Sequence, residues 1–143
     1  MNLQRATRLA LYAVLELADQ PDKQLSRAEI AEKFEVSGNH LSKVMRDLGK
    51  AGLVEAVRGV GGGYWFSGNA KRTTLMDVIK IFEPARFENA GEREPGKATD
   101  LGRTLNLVLD EINETIQATL NSISIQTMLQ IKNRSMIHSS RGG

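Results

Sequence analysis

Between Ser26 and Phe66 the chain sets down two helix starts, a tight turn and a glycine-rich hairpin in immediate succession, and that order leaves few folds open. Ser26-Arg27-Ala28-Glu29 has the form of a capping box, in which hydroxyl and carboxylate satisfy the free N–H groups of a helix start. Ile30, Ala31 and Phe34 give the short helix behind it an inner face. Glu35-Val36-Ser37-Gly38 reads as a tight turn, with Ser37 as the next N-cap. In the helix expected over Asn39–Ala51, Leu41, Val44, Met45 and Leu48 follow the i, i+3, i+4, i+7 rule and should face a core. Asn39, Lys43, Arg46 and Lys50 share another face, which offers one amide and three cations to a partner. Gly52 suits the helix C-terminus. Leu53–Val57 then reads as a strand, Arg58-Gly59-Val60-Gly61-Gly62-Gly63 as a turn, and Tyr64-Trp65-Phe66 as the returning strand, with Trp65 packed under the hairpin.

The flanking sequence completes a mainly helical chain. Arg5–Ala18 carries a helical apolar stripe through Ala6, Ala10, Ala13, Val14 and Leu17. Its run from Leu9 to Leu15 follows two arginines but is broken by Glu16 and Asp19, lacks a cleavage pattern, and falls short of the roughly 20 residues of a membrane span. A buried first helix in a soluble, cytoplasmic protein is the expectation, with no membrane partner. Thr74-Leu75-Met76-Asp77 starts another helix, with Leu75, Val78, Ile79 and Phe82 as its stripe and Glu83-Pro84 as its end. Residues 85–99 are charged, carry Gly91, Pro95 and Gly96, and read as a loop. A long helix is expected over Asp100–Leu120 and a short one over Ser124–Ile131, followed by a flexible polar tail over residues 132–143. The division is therefore 1–84, 85–99, 100–131 and 132–143. The long helix has more apolar surface than the N-terminal unit can cover, so Leu101, Leu105, Val108, Leu109, Ile112 and Ile116 should meet a second copy of the chain.

Composition narrows the chemistry. The 143 residues contain no cysteine and two histidines, His40 and His138. Disulfides, thiol catalysis and cysteine-ligated metal are thereby excluded, and a histidine-rich metal site is not expected. The glycines of residues 59–63 lack the Lys-Ser/Thr of a nucleotide-binding P-loop. No acid/base pair stands out, so no enzyme activity is expected. Charge distribution is more informative than its total of +2. From Ser37 to Arg72 there are six cations against two anions, a local +4. Helix, turn, helix and basic hairpin is the order of a winged helix-turn-helix, whose second helix enters the major groove of DNA while the hairpin reaches phosphate or the minor groove.

These residues also resemble a known family. Val36-Ser37-Gly38-Asn39-His40-Leu41-Ser42-Lys43-Val44, Leu48-Gly49-Lys50-Ala51-Gly52-Leu53-Val54 and Val57-Arg58-Gly59-Val60-Gly61-Gly62-Gly63-Tyr64, with Asp77-Val78-Ile79 and Glu83-Pro84 behind them, resemble the Rrf-two family of bacterial winged-helix transcription regulators, nearest its NsrR branch through the S-x-N-H-x-x-K pattern. The resemblance is specific over residues 1–84 and extends to the long helix by pattern only. It implies a homodimer crossed through the long helix and a repressor bound to a pseudo-palindromic operator of double-stranded DNA. Many relatives hold an iron–sulfur cluster on three cysteines in the loop after Glu-Pro. The corresponding stretch here, Asn89–Leu101, has none, with Ala90 and Ala98 near the usual ligand positions, so no cofactor is expected.

The candidate DNA contacts are Arg27, Ser37, Asn39, His40, Lys43, Arg46, Lys50, Arg58, Gly61, Gly62 and Tyr64. No catalytic or metal residue is expected, and no small-molecule effector is assigned. A winged-helix adaptor that binds protein instead of an operator is the alternative reading.

Overall fold

The computed structural model describes residues 1–88 and 94–141. Six helices and one hairpin follow in order among them: α1 (Arg5–Asp19), α2 (Arg27–Lys33), α3 (Gly38–Lys50), β1 (Val54–Val57), β2 (Gly63–Phe66), α4 (Leu75–Phe82), α5 (Asp100–Ser122) and α6 (Ile125–Arg141). The mainly helical architecture with a two-stranded antiparallel hairpin is the one expected.

Helix α1 is the centre of the core. It buries Thr7, Leu9, Ala10, Ala13, Val14, Leu17 and Ala18. Packed into the same cluster are the α3 stripe of Leu41, Val44, Met45 and Leu48, with Ile30, Val54, Phe66, Val78 and Ile125. At the other end of α2 the Phe34 ring stacks on Tyr12 at 5.3 Å, and Lys33 pairs with Glu16 at 2.5 Å. The turn into α3 places Glu35 at φ 56°, and the Val36 N–H closes it on the Ala31 carbonyl at 3.0 Å.

The caps follow the sequence, with one reduction. Ser26 accepts from the Glu29 N–H, but the Glu29 carboxylate does not return the bond, so the expected box is half formed; Ser37 accepts from the His40 N–H. At the far end of α3 Gly52, at φ 78°, donates to the Gly49 carbonyl, and Leu53 donates to that of Leu48. This is the Schellman arrangement, which needs a residue tolerant of positive φ at that position. Thr74 and Asp77 form a full reciprocal capping box on α4.

Two expectations change and one unforeseen contact is added. The short last helix and the flexible tail over 132–143 are replaced by one helix running from Ile125 to Arg141. No glycine or proline interrupts the chain there, and Lys132 pairs with Asp19 of α1. Residues 142 and 143 lie outside the described residues. Second, Tyr64, not Trp65, packs against the core. Strand parity places Val54, Ala56, Tyr64 and Phe66 on one face and Trp65 opposite Glu55 on the other. Third, the hairpin has a further backbone partner: Tyr64 and Leu25 exchange hydrogen bonds of 2.8 and 3.0 Å. The expected loop over 85–99 is made of turns at 85–88 and 94–99, and its central part, Asn89–Arg93, lies outside the described residues.

Helix α1 has no capping side chain of its own. The cap comes from the end of α4. Glu83 is buried, and its Oε2 accepts from the Gln4 N–H at 3.1 Å and from the Thr7 hydroxyl at 2.5 Å. Arg86 donates to Oε1 at 2.6 Å. Burial opposes the charge, but the Thr7 hydroxyl, the Gln4 N–H and Arg86 together outweigh it and hold the carboxyl below its ordinary pKa. A carboxylate at a helix N-terminus is also favoured by the helix dipole. Because the group is more acidic folded than unfolded, its contribution to stability is full above the ordinary carboxylate value and is lost as the pH falls through the depressed one. Thr7→Val, which strips one donor from this buried charge, should cost about 1–3 kcal/mol in urea denaturation at neutral pH. The difference from wild type should shrink at acid pH, and a pH-independent difference would contradict the assignment.

Candidate nucleic-acid interface

The apolar stripe of α3 is committed to the core, so its opposite face is fixed toward solvent. Asn39, Lys43, Arg46 and Lys50 are all exposed on it, while His40 is half-buried and gives its backbone N–H to the Ser37 cap. Ser37 is exposed and already engaged as that cap. The structure therefore accounts for Ser37 by helix initiation, whatever else it touches.

The hairpin stands beside this face. Gly59 and Gly61 take φ of 100° and 76°, and the Gly62 N–H closes the tip on the Gly59 carbonyl at 3.0 Å. A Cβ on Gly62 would overlap the Val57 carbonyl oxygen, and one on Gly63 that of Leu25. These glycines shape the tip, which presents a fully exposed Val60 and leaves Arg58 exposed at the root. Tyr64 is half-buried against the core. Gly61, Gly62 and Tyr64 thus have structural reasons to be where they are, independent of any DNA contact.

Arg27 completes the group from the start of α2. Its Nη1 donates to Ser42 Oγ of α3 at 3.2 Å. Ser42 was not among the candidate residues. It lies between the two helical stripes, and only the fold brings Arg27 to it. The Leu25 pairing was missed likewise, since a single backbone bridge leaves no pattern in side chains.

Among the described residues, Arg27, Lys43, Arg46, Lys50 and Arg58 have no carboxylate partner; the ion pairs are Lys33–Glu16, Arg86–Glu83, Arg103–Asp100 and Lys132–Asp19. The face joining α3 to the hairpin is therefore a run of uncompensated cations on rigid elements, which suits phosphate binding. The described residues hold no group of three His, Cys, Asp or Glu able to bind a metal. No described helix is long and apolar enough to cross a membrane.

A core-packed helix with a basic outer face and a glycine-tipped hairpin beside it is a winged helix-turn-helix of the DNA-binding kind. Residues 3–131 match the Rrf2 (Rrf-two) family, whose description is "Iron-dependent Transcriptional regulator". The chain belongs to that family, and is a DNA-binding transcription regulator. It is 46% identical over 131 residues to the HTH-type transcriptional regulator BadM of Rhodopseudomonas palustris, covering 92% of this chain and 83% of that protein. The fold is shared with Staphylococcus aureus CymR in its oxidised form (TM-score 0.74, 22% identity, 90% of this chain and 96% of that one). It is shared equally with T. potens IscR (TM-score 0.74, 24% identity, 94% and 90%).

Lys43→Ala and Arg58→Ala should each weaken binding to duplex DNA without lowering the melting temperature, because both side chains are exposed. A lost phosphate contact should flatten the plot of log affinity against log salt by about 0.9. A lost base contact should cost about 1–3 kcal/mol and relax specificity at one position. Fluorescence anisotropy over a salt series reads both, and unchanged affinity in both variants would move the interface elsewhere.

Proposed function

We propose that the chain is a cytoplasmic repressor that binds a pseudo-palindromic operator as a homodimer, through Asn39, His40, Lys43, Arg46 and Lys50 of α3 and Arg58 of the hairpin. The observation that carries this reading is the set of cations on α3 and the hairpin without carboxylate partners. Within the family, the Ser37-Gly38-Asn39-His40-Leu41-Ser42-Lys43 pattern supports placing the recognition helix with the NsrR branch. A two-fold dimer would set its two recognition helices about one helical turn of DNA, or a multiple of it, apart. Genome-wide mapping of the bound DNA tests this directly. Inverted-repeat sites beside promoters are expected, and bound fragments without a shared repeat would sink it.

The support for dimerisation is α5. It is 23 residues long and none of them is buried. Leu101 is 83% exposed, Leu105 58% and Ile112 51%, with Val108, Leu109 and Ile116 beside them. A contiguous apolar face of this kind marks an interaction surface. Replacing both Val108 and Ile112 with Asp places unpaired charges in the proposed seam, where burial is strongly unfavourable. Sedimentation should then give monomer or insoluble protein, and a double variant that stays a stable dimer refutes the seam.

The iron dependence in the family's description does not carry over through a cluster of the usual kind. Iron–sulfur clusters rest on several thiolates, with imidazole replacing only some. The chain has no cysteine, so its donor set does not fit such a cluster, and its regulation is read without one. Iron and sulfide analysis of protein purified anaerobically should find neither in stoichiometric amount, and the protein should bind DNA all the same.

A further inference from the structure

We propose that Ser42 is a positioning residue that holds Arg27 over a DNA phosphate in the groove between α3 and the hairpin. The proposal rests on the DNA-binding reading and extends it to a residue that lies off the cationic face of α3.

Arg27 is the first residue of α2, immediately after the Ser26 cap. Its side chain leaves that helix and crosses to α3, where Nη1 donates to Ser42 Oγ at 3.2 Å. On the way it passes Gly38. A Cβ built there would stand 3.5 Å from Arg27 Nε and 3.6 Å from Cζ. Gly38 and Ser42 are four residues apart, so they are neighbours on one face of the helix. The guanidinium therefore lies along the first turn of α3, with a residue lacking a side chain below it and a hydroxyl at its end.

The partner is a hydroxyl, and that decides what the contact is for. A carboxylate at position 42 would bind the guanidinium more tightly and cancel its charge. A neutral oxygen orients the group and leaves its positive charge uncompensated. Arg27 has five N–H donors in a fixed fork, and Ser42 uses one. The rest remain for an oxyanion, the partner to which this planar fork is best matched.

Arg27 and Ser42 form one wall of a groove of about 540 Å³, and Arg58, Gly59 and Tyr64 of the hairpin line the other. No carboxylate lines it. Two arginines from different elements thus face one open channel, and neither has an acidic partner among the described residues. A chain of phosphodiesters running between recognition helix and hairpin is the occupant that this charge and shape fit.

The test is a double-mutant cycle read on a mixed-sequence duplex, because a phosphate contact does not depend on base sequence. Arg27→Ala, Ser42→Ala, the two combined, and Ser42→Thr are compared by anisotropy across a salt series, with thermal melting as the control for folding. Arg27→Ala should weaken binding and flatten the salt slope by about 0.9. Ser42→Ala should weaken it by roughly threefold to tenfold, the scale of one hydrogen bond that orients a charged group. In the Arg27→Ala background Ser42→Ala should change nothing further, and Ser42→Thr, which keeps the hydroxyl, should bind like wild type. Effects that multiply would show Ser42 touching DNA itself and overturn the positioning role. So would a Ser42→Ala variant that binds like wild type while Arg27→Ala does not. A salt slope untouched by Arg27→Ala would overturn the phosphate contact. Wild-type protein with no salt-dependent duplex binding at all would instead strike the DNA-binding reading beneath it.

Discussion

The seating of α3 on α1 is the contact on which the rest of the molecule depends. Ala10 and Ala13 are fully buried on α1, between Leu9, Val14 and Leu17. They share one buried cluster with the larger α3 residues Leu41, Met45 and Leu48. The stripe fixes not only that α3 packs but how it is rotated. Turning it by one residue would carry Lys43 or Asp47 toward the core, where an unpaired charge is strongly unfavourable. The outward direction of Asn39, Lys43, Arg46 and Lys50 is thus a consequence of core packing. A surface that reads DNA needs that kind of rigidity, because its donors must match fixed positions on a duplex.

What the amino-acid sequence made legible was local and periodic. The α3 stripes, the Ser26, Ser37 and Thr74 caps, the Gly52 terminus and the hairpin glycines all lie within a few residues of the features they determine. What it concealed was set by partners far along the chain. Thr7 and Glu83 are 76 residues apart, and a threonine inside an apolar helix gives no sign that it will cap that helix with a borrowed carboxylate. Tyr64-Trp65-Phe66 is apolar throughout, so no alternation shows which ring faces inward; the pairing with Val54 and Ala56 settles it. The polar half of α6 lacks an apolar stripe and so reads as a tail, yet it contains no helix breaker, and its Lys132 pairs with Asp19. Arg27 could be marked as a cation near the recognition helix, whereas its seat on Ser42 depends on how α2 and α3 cross. The proposed DNA contacts and the proposed seam remain readings of charge and exposure. Geometry adds which of them already serve as caps or turn formers.

The C-terminal helices are tied to the core by backbone hydrogen bonds as well as by Ile125 and Leu129 of α6, which join its apolar cluster. Ile125 donates to the Thr73 carbonyl and Gln126 to that of Ala70, while Leu75 donates to the Ile123 carbonyl. The short link between α5 and α6 is thereby stitched to the segment that leads into α4. Farther along, Asn113 of α5 donates to the Phe87 carbonyl at 2.9 Å, one residue beyond the Arg86 that pairs with Glu83. A continuous set of polar contacts therefore runs from the middle of α5 to the first turn of α1. At its buried end burial opposes the Glu83 charge, and the Thr7, Gln4 and Arg86 donors together outweigh it. Displacing Arg86 would leave the same desolvation against fewer donors, so the cost would fall on the N-terminus of the helix that anchors α3.

Charge is arranged by the same logic of partners present and absent. Glu16, Asp19, Glu83 and Asp100 each hold a cation, and the partners lie on α1, α2, α5, α6 and the segment after α4. Those pairs cancel fields near the core and along the long helix. Around α3 and the hairpin neither Asp47 and Glu55 nor Arg27, Lys43, Arg46, Lys50 and Arg58 form an ion pair among the described residues. Leaving like charges together on a surface costs some stability through repulsion, and the cost falls as salt screens it. A polyanion removes that repulsion and releases its own counterions in doing so. A total of +2 hides this: of the 17 acids that nearly balance the chain's 19 cations, only Asp47 and Glu55 fall between residues 37 and 72, so the local excess of positive charge sits where the chain would meet phosphate.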